Sequence, residues 1–187
     1  MPMPRRRSLL FRVAWGLVMT IGIVIGAVVL IGSQLPVAHV ATRSITVPAP
    51  PESVYATITD VASYPAWRPD VRNVVIHPDA GARRFTEESS SGSLTMVVEE
   101  AIPPSRLVTR IVGEGLPFGG AWAYAVEPEG AGSRVTITEH GEVHNFFFRF
   151  VSRFVMGHAS TLEGYQRALG RRYGVEVEPV DALPVPP

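Results

Sequence analysis

The chain contains no cysteine and no lysine. The first absence excludes disulfides, thiolate nucleophiles, Fe–S clusters and cysteine-ligated zinc. The second removes Schiff-base chemistry, since every side-chain cation other than histidine is an arginine. No nucleophile elbow, phosphate-binding glycine loop, dinucleotide fingerprint or zinc motif occurs, so no cofactor and no metal is implied. Positive charge is also scarce where nucleic acid would need it. Beyond residue 40, 13 arginines face 17 acids, a net of −4, which leaves no electrostatic footprint for nucleic acid. With 187 residues there is room for one domain and an accessory segment.

What is present begins with an asymmetry. Arg5, Arg6, Arg7 and Arg12 precede twenty uncharged residues, Val13 to Gly32, and no acid lies in the first 40. Twenty residues at about 1.5 Å rise reach roughly 30 Å, the thickness of a bilayer's hydrocarbon core. Trp15 suits the interface and Arg12 can snorkel to the headgroups. A cleaved signal peptide shares the arginine-rich start, but its apolar core is usually only about 7–15 residues. The stretch Ser33 to Thr42 also lacks a small-x-small cleavage site. The sequence therefore divides into a cytoplasmic basic segment (1–12), a transmembrane helix (13–32), a linker (33–39), a domain (40–174) and a proline-rich tail (175–187) expected to be disordered. By the positive-inside rule the N-terminus is cytoplasmic and the domain lies outside. Gly22 and Gly26 have the GxxxG spacing that would permit weak dimerisation of the span, although glycine is common in such helices.

The domain opens with an alternating strand, Val40 to Val47. Proline and an acid then mark a helix start at Pro51-Glu52, with Val54, Tyr55 and Ile58 as its apolar face. A second short helix follows Asp60, read as its N-cap, and stops at Pro65. From Val71 to Asn145 six short alternating runs are punctuated by turn residues, among them Pro103-Pro104, Gly115 to Gly120 and Pro128 to Gly132. That pattern predicts an antiparallel meander. Last comes one long helix, Phe146 to Tyr173, with a stripe of Phe147, Val151, Phe154, His158, Leu162, Tyr165 and Leu169 spaced by four and three.

The segments Ile45-Thr-Val-Pro-Ala-Pro-Pro-Glu-Ser-Val-Tyr55, Thr59-Asp-Val-Ala-Ser-Tyr-Pro-Ala-Trp67 and Trp122-Ala-Tyr-Ala-Val-Glu-Pro128, with this element order, resemble the START/Bet v 1-like (helix-grip) superfamily. In particular they are similar to its polyketide cyclase/dehydrase-type SRPBCC proteins. The resemblance covers roughly Ala41 to Tyr173. It implies an α+β fold: a curved antiparallel sheet of about seven strands wrapped on a long C-terminal helix, with two short helices after strand 1 and an apolar cavity between sheet and helix. The superfamily includes lipid carriers, quinone binders, receptors and cyclases, so the fold does not select the function.

Alternation assigns the inward residues. Trp122, Tyr124, Met96, Val98 and Ile137 are expected to line the cavity with the helix stripe, including Phe154. Trp67 and Phe118 are candidates for its mouth. Glu139 continues the inward set after Val135 and Ile137, and His158 interrupts the stripe. A carboxylate facing apolar walls has its pKa raised unless a cation pairs with it. Glu139 and His158 are therefore candidates for an acid/base pair, or for hydrogen-bond partners of a ligand carbonyl or hydroxyl. The plainer alternative makes His158 a satisfied core residue and puts Glu139 at the strand's wet end. His140 and His144 are read as solvent-exposed. The leading expectation is a membrane-anchored module that binds or transfers a hydrophobic small molecule such as a lipid, quinone or polyketide-like aromatic. A cyclase or hydratase and a ligand-free interaction domain are the alternatives.

Overall fold

The computed structural model describes residues 5–78, 83–90, 92–157 and 159–187. The first four residues of the basic segment lie outside this set. Helix α1 (Arg5–Gln34) is followed by β1 (Ala38–Val47), α2 (Pro51–Thr59), a 3₁₀ helix (Val61–Ala66) and six strands: β2 (Val71–His77), β3 (Arg84–Ser89), β4 (Gly92–Ile102), β5 (Arg106–Ile111), β6 (Phe118–Glu129) and β7 (Gly132–Val143). Helix α3 (Phe146–Val151), a π-helical turn (Ser152–Met156), α4 (Ser160–Arg172) and a two-residue strand β8 (Val180–Asp181) complete the chain. One eight-stranded antiparallel sheet has the order β2-β3-β4-β5-β6-β7-β1-β8. The α+β helix-grip expectation holds.

The span Phe11–Gln34 of α1 covers 24 residues, with a mean hydropathy of 2.5 over its most apolar 18-residue window; it is long and apolar enough to cross a membrane, and its apolar side chains are exposed. The expected seven-residue linker is shorter. Helix α1 continues to Gln34, and the β ladder begins early because the Val143 amide donates to the Val37 carbonyl at 2.8 Å. Only Leu35, Pro36 and Val37 separate the two elements.

Cross-strand register sets the inner face of the sheet in rows. Ala41, Glu139, Trp122, Thr109 and Val98 form one, and Arg43, Ile137, Tyr124, Leu107 and Ala101 the next. A bulge between Val98 and Glu100 returns Ala101 to the inner face. Helix α4 lies over these rows with Leu162, Tyr165 and Leu169 buried, and α2 contributes Val54, Tyr55 and Ile58. Gln166 ties α4 to the sheet by donating to the carbonyls of Arg43 (2.8 Å) and Val135 (3.3 Å).

Three local expectations are corrected. Asp60 makes no side-chain cap; its backbone carbonyl accepts from the Ser63 amide and hydroxyl instead. Pro65 lies inside the 3₁₀ helix rather than ending it. The long C-terminal helix is broken: Gly157 adopts φ 77°, a left-handed value that favours glycine. Asn145 caps the first piece, accepting from the amides of Phe147 (2.9 Å) and Phe148 (3.3 Å).

The tail is ordered, not disordered. Val180–Asp181 pairs with β1, and Asp181 accepts from Arg43. The Val185 amide donates to the Thr138 hydroxyl at 2.8 Å, and its carbonyl meets His140 Nε2 at 2.8 Å. The side chain of Val185 rests on Val108, Ala121 and Ala123 of the outer face. Small side chains on β6 open this shallow apolar pit, and prolines lower the entropy cost of laying an extended chain across it.

Candidate functional site

Five aromatic rings meet on the inner face. The 3₁₀ helix and the turn after it bring Tyr64 and Trp67, β6 brings Trp122 and Tyr124, and α4 brings Tyr165. Ring centroids lie 5.4 Å apart for Trp67–Tyr165, 5.8 Å for Trp122–Tyr165, 5.8 Å for Tyr124–Tyr165 and 5.4 Å for Tyr64–Trp67, mostly edge to face. Tyr165 stands at the centre.

Beside the rings is a buried ion pair. Arg68 and Glu87 are each only 7% exposed, and Arg68 Nη1 donates to Glu87 Oε1 at 2.7 Å. Asp70 accepts from Nη2 of the same guanidinium at 2.6 Å. The guanidinium carbon lies 4.9 Å from the Tyr64 ring centroid and 5.1 Å from that of Tyr165. Burial opposes the charge on Arg68, but its hydrogen bond to Asp70 and the Glu87 carboxylate outweigh it and hold its pKa above the usual value. Burial pushes the Glu87 carboxyl up against the pull of Arg68. Burial also pushes the Tyr64 hydroxyl up to about 12 and those of Tyr124 and Tyr165 well above the ordinary value.

A cavity of about 330 Å³ adjoins this cluster. Ile58, Thr59 and Val61 form one wall, Phe85, Val98, Leu107 and Thr109 the other, and His77, Arg83 and Arg84 stand among its polar lining. Cavity and cluster share a boundary: Thr109 faces Trp122 across the ladder, and the Tyr64 hydroxyl donates to the Ile58 carbonyl at 2.7 Å. The volume falls at the lower end of the roughly 300–1,000 Å³ typical of small-molecule sites. The buried polar atoms Trp67 Nε1 and Tyr55 Oη have no hydrogen-bond partner among the described residues, whereas the Tyr165 hydroxyl meets that of Tyr64. Such groups in an apolar interior favour a ligand that brings a carbonyl or hydroxyl to them.

Of the residues expected from sequence, the structure brings Trp67, Trp122 and Tyr124 into the ring cluster and Val98 into the cavity wall. Ile137 is fully buried core beside Tyr124 in register. Met96 lies between Phe85 and Ile111 in register on β3 and β5. Glu139 lies opposite Trp122, and its Oε1 is 3.5 Å from His39 Nε2 while its buried Oε2 has no partner among the described residues. A Cβ on Gly141 would come within 2.3 Å of the His39 ring, so the missing side chain there is what admits the imidazole. His158 lies outside the described residues. Phe118 belongs elsewhere: it lines an open depression of about 510 Å³ with Arg110, Glu142 and His144 at the end of the sheet. Phe154, 59% exposed, packs on Phe150 at 5.0 Å, away from the rings.

Sequence reasoning missed Arg68, Glu87 and His39. Glu87 follows Phe85 by the same period of two that singled out Glu139, so alternation carried its signal. Arg68 offered none, because its burial depends on a strand 19 residues away.

A curved antiparallel sheet gripping a C-terminal helix defines a helix-grip domain. The apolar cavity lies between the sheet and α2 with the 3₁₀ helix, not between the sheet and the C-terminal helix as expected, because Tyr165, Leu162 and Leu169 fill that space. Residues 38–171 match the family described as polyketide cyclase / dehydrase and lipid transport, and the chain belongs to that family. Solved structures share the fold. A START superfamily protein from Mycobacterium smegmatis aligns with a TM-score of 0.59 at 18% identity, covering 73% of this chain and 97% of that one. Norcoclaurine synthase from Thalictrum flavum aligns at 0.58 and 14% identity, covering 74% and 96%. The di-domain ARO/CYC protein StfQ of the steffimycin biosynthetic pathway aligns at 0.59 and 13% identity, covering 74% of this chain and 51% of that one. No curated protein matches the chain significantly.

Proposed function

We propose that the domain binds, and hands on, a hydrophobic small molecule carrying at least one carbonyl or hydroxyl group, while α1 holds it at a membrane. A lipid, an isoprenoid quinone and a polyketide-like aromatic all have this chemistry. The observation that carries the reading is the apolar cavity of about 330 Å³, whose Val98 and Thr109 wall adjoins, through Trp122, the ring cluster that holds Trp67 Nε1 without a partner among the described residues. The arginines ahead of α1 favour a cytoplasmic N-terminus with the domain on the other side. An interaction domain without a ligand would favour a closed core, and the cavity speaks against it.

The full chain, extracted in mild detergent, should carry or take up such a molecule in native mass spectrometry. Offered probes are a phospholipid, an isoprenoid quinone and a tetracyclic aromatic. Val98→Trp should abolish uptake by filling the cavity. Trp67→Phe should weaken it by up to about tenfold, the worth of one hydrogen bond. Wild-type protein that takes up none of the three would sink the proposal.

One observation favours a second reading, proton transfer by Glu139: the His39 contact at 3.5 Å, with Oε2 buried and without a partner among the described residues. In that reading a cyclase or hydratase would use His39 as the partner nearest to Glu139, and Glu139→Gln would stop turnover without stopping ligand uptake.

A further inference from the structure

Between β7 and α4 the chain reads Phe146-Phe-Phe-Arg-Phe-Val-Ser-Arg-Phe-Val155, and no acid occurs from Val143 to Leu162. The fold leaves these apolar side chains outside the core. Phe147 is 50% exposed, Phe148 47%, Phe154 59% and Val155 72%. Such a concentration of exposed aromatics calls for a covering phase.

Its position identifies that phase. Helix α3 packs on the C-terminal end of α1, where a Cβ at Gly32 would lie 2.2 Å from the Phe146 carbonyl oxygen. Arg149 Nη1 donates to the Leu35 carbonyl at 2.7 Å, closing the end of α1 with a cation, as a helix C-terminus favours. The 24-residue span Phe11–Gln34 reaches about 36 Å. That is roughly one turn more than a hydrocarbon core of about 30 Å. The last turn of α1 therefore stands at headgroup level, and α3 is fixed to it there. Phenylalanines with arginines and no acid are the composition of a segment lying in the interface of an anionic bilayer.

The geometry points to α3 and the π-helical turn as a second membrane contact: Phe147, Phe148, Phe154 and Val155 insert into the interface of the bilayer that α1 crosses, and exposed Arg153 meets anionic headgroups. This rests on α1 being a membrane span, and the test separates the two claims. Because the chain lacks cysteine, single nitroxide labels can be placed through Phe148→Cys, Val155→Cys, Val24→Cys and Val180→Cys in the full chain. The protein is reconstituted in phosphatidylcholine–phosphatidylglycerol vesicles, and collisions with dissolved oxygen and with a water-soluble nickel chelate are compared. Labels at 148 and 155 should favour oxygen, as at 24, and that preference should be lost at 180 on exposed β8. Lipid exposure at 24 with water exposure at 148 and 155 overturns the second contact alone. Shielding of 148 and 155 from both reagents also overturns it, in favour of a second copy of the chain. Water exposure at 24 overturns the span, and the proposal with it.

Discussion

Arg68 keeps its charge inside the domain because Glu87, Asp70 and two aromatic faces share it. Removing one partner of a buried pair typically costs about 3–5 kcal/mol, whereas replacing both by apolar groups is often neutral. Glu87→Leu should therefore lower the thermal midpoint sharply in detergent, and Arg68→Met with Glu87→Leu should recover most of it. The tyrosines make a separate claim. The folded-state pKa of Tyr64 is about 12 against an ordinary 10.0. Between those values the unfolded chain loses the phenolic proton while the native state keeps it, so stability is complete below about pH 10 and falls as pH rises. In a titration, tyrosinate absorbance from Tyr64, Tyr124 and Tyr165 should appear only together with unfolding; its appearance in folded protein would refute their burial. Trp122, Tyr124 and Val98 were legible because a strand's period of two leaves no choice of face. Phe118 shares their parity but not their place, since it opens β6 at the end of the sheet, where it lines the depression with Arg110 and His144.

At the scale of elements, the meander could be read almost to its ends, because turn residues and alternation agree there. The C-terminal half could not. The stripe from Phe147 to Leu169 keeps helical spacing across Gly157, yet among its described residues only those in α4 reach the core. Periodicity reports which residues share a face, not what covers the face. Gly157→Ala, strained at positive φ, should cost about 1 kcal/mol in thermal unfolding. Proline content misled in the tail because it signals a poor core former and also a chain that is cheap to order. Val185→Ala should destabilise by about 0.5–1 kcal/mol. Filling the pit by Ala123→Leu should free the tail to proteolysis at Leu183 to Pro187 while β1 to β7 stay paired.

For the whole molecule, membrane attachment and topology can be checked independently of any ligand. Alkaline carbonate should leave the chain in the membrane pellet and detergent should release it; release by carbonate alone would rule out α1 as a span. With the proposed orientation, a cysteine introduced at Leu183 should react in intact cells with a thiol reagent that cannot cross the membrane, and one replacing Ser8 should not. The reverse pattern would place the domain in the cytoplasm.

The joint between α1 and β1 has only Leu35, Pro36 and Val37, with Arg149 clasping its first carbonyl. Three residues span at most about 10 Å even when stretched. A domain tethered so closely has no leash. With α1 in a bilayer it cannot shuttle cargo across an aqueous gap to another membrane. Any exchange is confined to the leaflet it stands on, or to a soluble acceptor that comes to it.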